Sequence, residues 1–195
     1  MIKKVVTAVA FFALAPNWAR AEVVDSGANG FTLKLALQIQ AAPTDVYRRL
    51  IHNLGDWWSS GHTFSGNSHN LSIEEKPTGC FCEKLPNGGG VRHMEVVFLA
   101  PGKAVVLTGG LGPLQSLATA GSMSIELAPA DGGTKLQLTY AVMGYLPAGM
   151  NAWAVPVNGV LTEQFTRLKN YVEREIRRRS REVFTDSHRS YQERG

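Results

Sequence analysis

PVNGVLTEQFTRLKNYVEREIRRR, residues 156–179, sets Val157, Leu161, Phe165, Leu168, Val172 and Ile176 at steps of three and four, which draws one apolar stripe along a helix. Pro156 suits the first turn of that helix, where a missing N–H is no loss. The stripe stops after Ile176, where Arg177-Arg178-Arg179 takes the chain into water. Ahead of it lies a long Gly-punctuated, strand-like stretch with one other convincing helix. A lone long helix beside that much strand has to bury its stripe against a sheet. The expected class is therefore α+β: a curved antiparallel sheet of about seven strands gripping the C-terminal helix, with a cavity between them.

Working outward, the first strand is marked by the alternation of Phe31, Leu33, Leu35, Leu37 and Ile39 with polar or small partners. Pro43-Thr44-Asp45 opens a helix carrying Val46, Tyr47, Leu50, Ile51 and Leu54, and Gly55 ends it. A second short turn of helix is expected around Asp56-Trp57-Trp58. A meander of hairpins follows, punctuated by Pro77-Thr78-Gly79, Pro86 to Gly90, Ala100 to Lys103, and Pro129 to Gly133. Residues 109–121 read as a Gly-rich loop carrying Leu111, Leu114 and Leu117.

The formal charge of +4 and the basic pI come from the ends of the chain. Residues 1–21 hold Lys3, Lys4 and Arg20 without an acid, and residues 166–195 hold nine Lys/Arg against five Asp/Glu. The body between them is slightly acidic, which gives no case for a nucleic-acid-binding face on the folded domain. Lys3-Lys4, the uncharged run from Val5 to Ala15 and the small-x-small Ala19-Arg20-Ala21 read as a secretory signal cut after Ala21. The run is shorter than the roughly twenty residues a span requires, so no transmembrane span is expected in the mature form. The expected organisation is signal peptide 1–21, short linker 22–29, domain 30–179 and a polar, basic, disordered tail 180–195. The expected location is periplasmic or secreted. A weak contact between the basic tail and an anionic surface is a further expectation.

The segments APTDVYRRLIHNLGDWW (42–58), APADGGTKLQLTYAV (128–142) and FTRLKNYVE (165–173) resemble the START-like (SRPBCC) superfamily. Within it they are most similar to the branch named after the activator of the heat-shock-protein-90 ATPase, which includes polyketide-cyclase-like members. The resemblance covers about residues 30–175 and is sharpest at Trp57-Trp58 and Asp131-Gly132-Gly133-Thr134. It implies a helix-grip fold with a deep hydrophobic cavity. It leaves function open, because the superfamily includes lipid carriers, cyclases and cochaperones.

Motifs for a serine nucleophile, a zinc protease, a Cys-x-x-Cys pair or a phosphate loop are absent from the sequence, and no cofactor or metal is expected. Cys80 and Cys82 sit at i and i+2 of a strand, at the upper limit of disulfide reach unless a bulge intervenes. Buried thiols, a redox-active bridge and metal binding all stay open for them. Counting through the Pro86–Gly90 turn sets Glu83 opposite His93 and Cys82 opposite Met94. The apolar face would then carry Cys80, Cys82, Met94, Val96, Phe98, Val105 and Leu107, and Glu83, His93 and Glu95 would form a wet cross-strand cluster. A slip of one residue inverts the faces and puts a carboxylate–imidazole pair inside the cavity, the minimum for acid/base catalysis. The candidate catalytic set is thus His93 with Glu83 or Glu95. Candidate ligand-contacting residues are Trp57, Trp58 and Phe64 after the first helix, Met94, Val96 and Phe98, Leu111 and Leu114 as a lid, Tyr140, Tyr145 and Trp153 as walls, and Leu161, Phe165 and Leu168 as a floor.

Three functions are compatible with these residues. The first is an exported, non-enzymatic binder of a small hydrophobic or amphipathic molecule. The second is a cyclase or dehydratase using the Glu/His pair. The third is a cochaperone, which export argues against, because its ATPase partner belongs to the cytoplasm.

Overall fold

The structure, a computed structural model, describes residues 20–192. All but the last two residues of the expected signal peptide lie outside the described residues. Among the described residues eight strands form one antiparallel sheet: β1 (Arg20–Gly27), β2 (Gly30–Ile39), β3 (Leu71–Ile73), β4 (Cys80–Lys84), β5 (Gly90–Ala100), β6 (Ala104–Thr108), β7 (Thr119–Ala130) and β8 (Gly133–Gly144). Their spatial order is β1-β2-β8-β7-β6-β5-β4-β3. Two helices, α1 (Pro43–His52) and α2 (Leu54–Trp57), follow β2, and α3 (Asn151–Gln192) closes the fold.

The extra strand corrects the reading of 22–29 as a linker. Arg20 to Gly27 pairs with Gly30 to Ala36 around a tight turn, and a register shift lies between Val23 and Asp25. This edge lacks the apolar alternation of β2, which explains why the periodicity missed it. Cleavage after Ala21 would remove two residues of the strand.

The core forms where alternation meets stripe. Phe31, Leu33, Leu35, Leu37 and Ile39 of β2 and Leu136, Leu138, Tyr140 and Val142 of β8 are buried on the concave face. Leu161, Phe165, Leu168 and Val172 of α3 are buried against them. Helix α3 starts five residues earlier than Pro156 suggested, so Pro156 lies inside it, past the residues whose N–H groups have no helical partner. The backbone also stays helical to Gln192, beyond the point where the apolar stripe fails, which corrects the disordered tail. Ion pairs one turn apart, such as Arg178–Glu175 at 3.1 Å, line its exposed side.

Two bulges decide which way the middle strands face. The β4–β5 ladder runs Glu83↔Val91 and Cys82↔Arg92, then resumes at Phe81↔Met94, leaving His93 as the extra residue. The counted pairing of Glu83 with His93 is therefore wrong. Phe81 and Glu83 point inward, and the consecutive residues His93 and Met94 are both buried. A second shift between Val96 and Phe98 sets Phe98 opposite Val106 and turns it outward, 52% exposed. The β5–β6 half of the expected apolar face holds for Met94, Val96, Val105 and Leu107, whereas the β4 half is inverted.

That inversion leaves Cys80 and Cys82 on the outer face, joined by a disulfide with Cα atoms 5.2 Å apart. A regular strand spaces i and i+2 at about 6.6–6.8 Å, so β4 is contracted across Phe81. Of the alternatives open for this pair, the structure shows the bridge.

Candidate functional site

A half-open apolar cavity of about 310 Å³ lies between the sheet, the start of α3 and two loops. Trp58, Phe64 and Leu71 wall one side, Leu111 and Leu114 another, and Trp153, Val157 and Leu161 of α3 the floor. Phe81 and His93 enter from the sheet. Ligand pockets span roughly 300–1,000 Å³, so this one suits a small molecule.

The wall after α2 is tied to α3 by polar contacts that leave its apolar faces to the cavity. Arg167 Nε donates to the Trp57 carbonyl at 2.8 Å, and Ser59 N donates to Gln164 Oε1 at 2.7 Å. His62 Nε2 meets Glu163 Oε2 at 3.0 Å. Trp58 Nε1 donates to the His62 carbonyl at 3.0 Å, and the Trp58 ring packs edge-on to Phe81 with centroids 5.8 Å apart. The opposite wall is pinned by Tyr140, whose hydroxyl accepts from Leu111 N at 3.0 Å and donates to the Gly109 carbonyl at 3.1 Å. Gly109 takes φ of +138°, a conformation few other residues adopt. At Gly121 a Cβ would fall 2.8 Å from the Tyr140 ring, so only glycine lets this tyrosine reach the loop.

The polar centre is a buried pair. His93 Nε2 lies 3.0 Å from Glu83 Oε2, and the two side chains are 4% and 0% exposed. Glu83 also accepts from the backbone N–H groups of Phe64 and Ser65. Burial raises the Glu83 carboxyl, but hydrogen bonds from Ser65, Phe64 and His93 outweigh it and hold the group below its ordinary value. Burial pushes His93 down, with Glu83 pulling the other way. The pair therefore rests as carboxylate and neutral imidazole, with Nε2–H donating to Glu83. That leaves Nδ1 a bare lone pair. It is buried and has no hydrogen-bond partner.

Of the candidate residues, the structure brings Trp58, Phe64, Leu111, Leu114, Trp153, Leu161 and His93 to the cavity, with Glu83 directly behind His93. The others stand elsewhere. Glu95 is on the outer face, paired with Arg92 at 2.8 Å, and is removed from the catalytic set. Phe98 faces outward at the second bulge, and Tyr145, 73% exposed, lies past the end of β8. Trp57, Met94, Val96, Phe165 and Leu168 are packed core without a cavity surface, and Trp57 spends its Nε1–H on the Arg49 carbonyl. Tyr140 acts through the loop it holds. Sequence reasoning missed Phe81, Val157 and Val160 as cavity residues. Val157 was visible on the helical stripe, but Phe81 was hidden by the bulge.

Among described residues no group of three or more His, Cys, Asp or Glu side chains is arranged to hold a metal ion. No helix among them is long and apolar enough to cross a membrane.

The architecture is a START/Bet v 1-like helix grip, and solved structures share it. An uncharacterized protein from Rhizobium leguminosarum superposes with a TM-score of 0.56 at 15% identity, over 81% of this chain and 99% of that one. Protein SA2116 from Staphylococcus aureus, of unknown function, gives 0.55 at 13% identity over 82% and 98%. Ara h 8.0201 gives 0.53 at 14% identity over 72% and 96%. Identities this low establish the fold alone. No family model and no curated protein matches the sequence.

Proposed function

We propose that this protein is an exported binder of a small hydrophobic or amphipathic molecule, held between the sheet and α3. The observation that carries the reading is the half-open, aromatic-rich cavity of about 310 Å³, with His93 as the buried polar side chain in its wall. Such a site needs only apolar walls for affinity and one directed group for orientation. Export is supported by the N-terminal sequence pattern and by the disulfide between Cys80 and Cys82, which is the chemistry of an oxidising compartment. The test is a thermal-shift panel of uncharged one- and two-ring compounds. A raised Tm that disappears in Val160→Trp, which fills the cavity from α3, supports the reading. No shift with any compound counts against it.

The Glu83–His93 pair favours a second reading, a cyclase- or dehydratase-like enzyme in which His93 takes a proton from a bound substrate. Turnover of a polyketide-like substrate that is lost in His93→Gln would establish it. The cochaperone activity of the branch that the sequence resembles draws no support from the cavity and conflicts with export.

A further inference from the structure

We infer that the cavity selects an uncharged ligand bearing a hydroxyl or comparable hydrogen-bond donor, a phenol or alcohol on a one- or two-ring apolar body, whose donor docks on Nδ1 of His93. This rests on the binding reading and narrows it. A buried nitrogen lone pair without a partner is costly to leave unmade, and a ligand that donates to it recovers that cost. Glu83 fixes which nitrogen is bare. By accepting from Nε2–H at 3.0 Å, with two backbone N–H groups holding its own oxygens, it leaves Nδ1 as acceptor only. Donor and acceptor ligands are thereby distinguished. A methyl ether offers no proton, and a ligand carboxylate would set its charge against the lone pair with the Glu83 carboxylate behind it.

The surroundings fit a ring with a hydroxyl. Phe81 lies 5.1 Å from the imidazole and Phe64 stacks on it at 5.9 Å, so the walls around the acceptor are aromatic. Nδ1 has almost no accessible surface, so a ligand donor reaches it only as a neighbouring wall side chain shifts. Phe64, 54% exposed, is the more exposed of the two aromatic neighbours of the ring. An apolar cavity of about 150 Å³ accepts benzene, so a two-ring body is a reasonable upper size here.

The test compares naphthalene, 2-naphthol, 2-methoxynaphthalene and 2-naphthoate by quenching of tryptophan fluorescence, since Trp58 and Trp153 line the cavity. The naphthol is expected to bind at least about tenfold tighter than its methyl ether, equivalent to about 1.4 kcal/mol, and the naphthoate weakest of all. In His93→Phe the naphthol preference is expected to vanish while naphthalene still binds. Should that variant not fold, ¹⁵N NMR of the wild-type imidazole reads the same contact: only the naphthol should shift the Nδ1 resonance. Equal affinities for naphthol and ether would overturn the inference and leave the binding reading standing. A preference that survives in His93→Phe, or a naphthoate that binds best, would also overturn it. If none of the four binds, the binding reading fails and the inference with it.

Discussion

His93 Nε2 and Glu83 Oε2 stand 3.0 Å apart in a setting where both side chains are almost wholly removed from water, and only one nitrogen of the imidazole is satisfied. Protonating this ring would create a second N–H with no acceptor.

That arrangement sets the pH dependence of stability. The His93 pKa is depressed by burial below its ordinary 6.5, so at pH values below 6.5 the unfolded chain binds the proton more readily than the folded one. The His93 contribution is fully present above pH 6.5 and is lost as pH falls through the depressed folded value. Glu83, also held low, adds a second loss below 4.5. The other titratable pair at the cavity, His62 with Glu163, is partly exposed. Tm measured from pH 8 to pH 4 should fall in two stages, and the upper stage should be absent in His93→Gln.

Tyr140→Phe should loosen the wall that carries Leu111 and Leu114. It removes the hydroxyl that joins Leu111 N to the Gly109 carbonyl, leaving a buried N–H unpaired at a cost of about 1–3 kcal/mol. Denaturant unfolding gives the cost, and amide exchange at Leu111 should quicken relative to the core strands.

Substitutions on the two faces of the sheet and helix should separate cleanly. Phe165→Ala, at a fully buried position against Trp57, should cost about 3–5 kcal/mol. Phe98→Ala and Tyr145→Ala, both outward, should stay within about 0.5 kcal/mol. Chemical denaturation of the three variants checks the facing of β5.

Replacing Cys80 and Cys82 together by serine should cost at most about 2 kcal/mol, because the loop they close holds a single residue and restricts the unfolded chain little. Thermal melts with and without reductant should show the same small difference in the wild type and none in the double variant.

How far the sequence carried these conclusions depends on the element. The α3 stripe and the alternation of β2 and β8 are periodic, and periodicity survives any detail of the turns, so sheet, helix and their contact were legible. The register of β4 on β5 was not, because it depends on one extra residue, His93, that no hydrophobic pattern announces. Shifting one strand by one residue exchanges its faces. The wet cluster expected of Glu83 and His93 thereby became the buried pair at the centre of the site, while Glu95, two residues beyond His93, stayed outside. Phe98 was misplaced for the same reason one bulge later. Tyr140 was recognisable as an inward residue of β8, but the loop it holds depends on close approach at Gly121, a contact distant in sequence. Strand β1 escaped notice because an edge strand of mixed polar residues needs no apolar alternation to pair.

The most direct measurement is native mass spectrometry of the intact protein isolated without denaturant from the cell envelope. The expected spectrum shows a chain shortened by residues 1–21 and lighter by the two hydrogens of the Cys80–Cys82 bridge. It carries one small organic molecule that is released on unfolding and absent from Val160→Trp. A bare chain that takes up no small apolar compound when these are supplied would contradict the central claim that this fold holds a ligand between its sheet and α3.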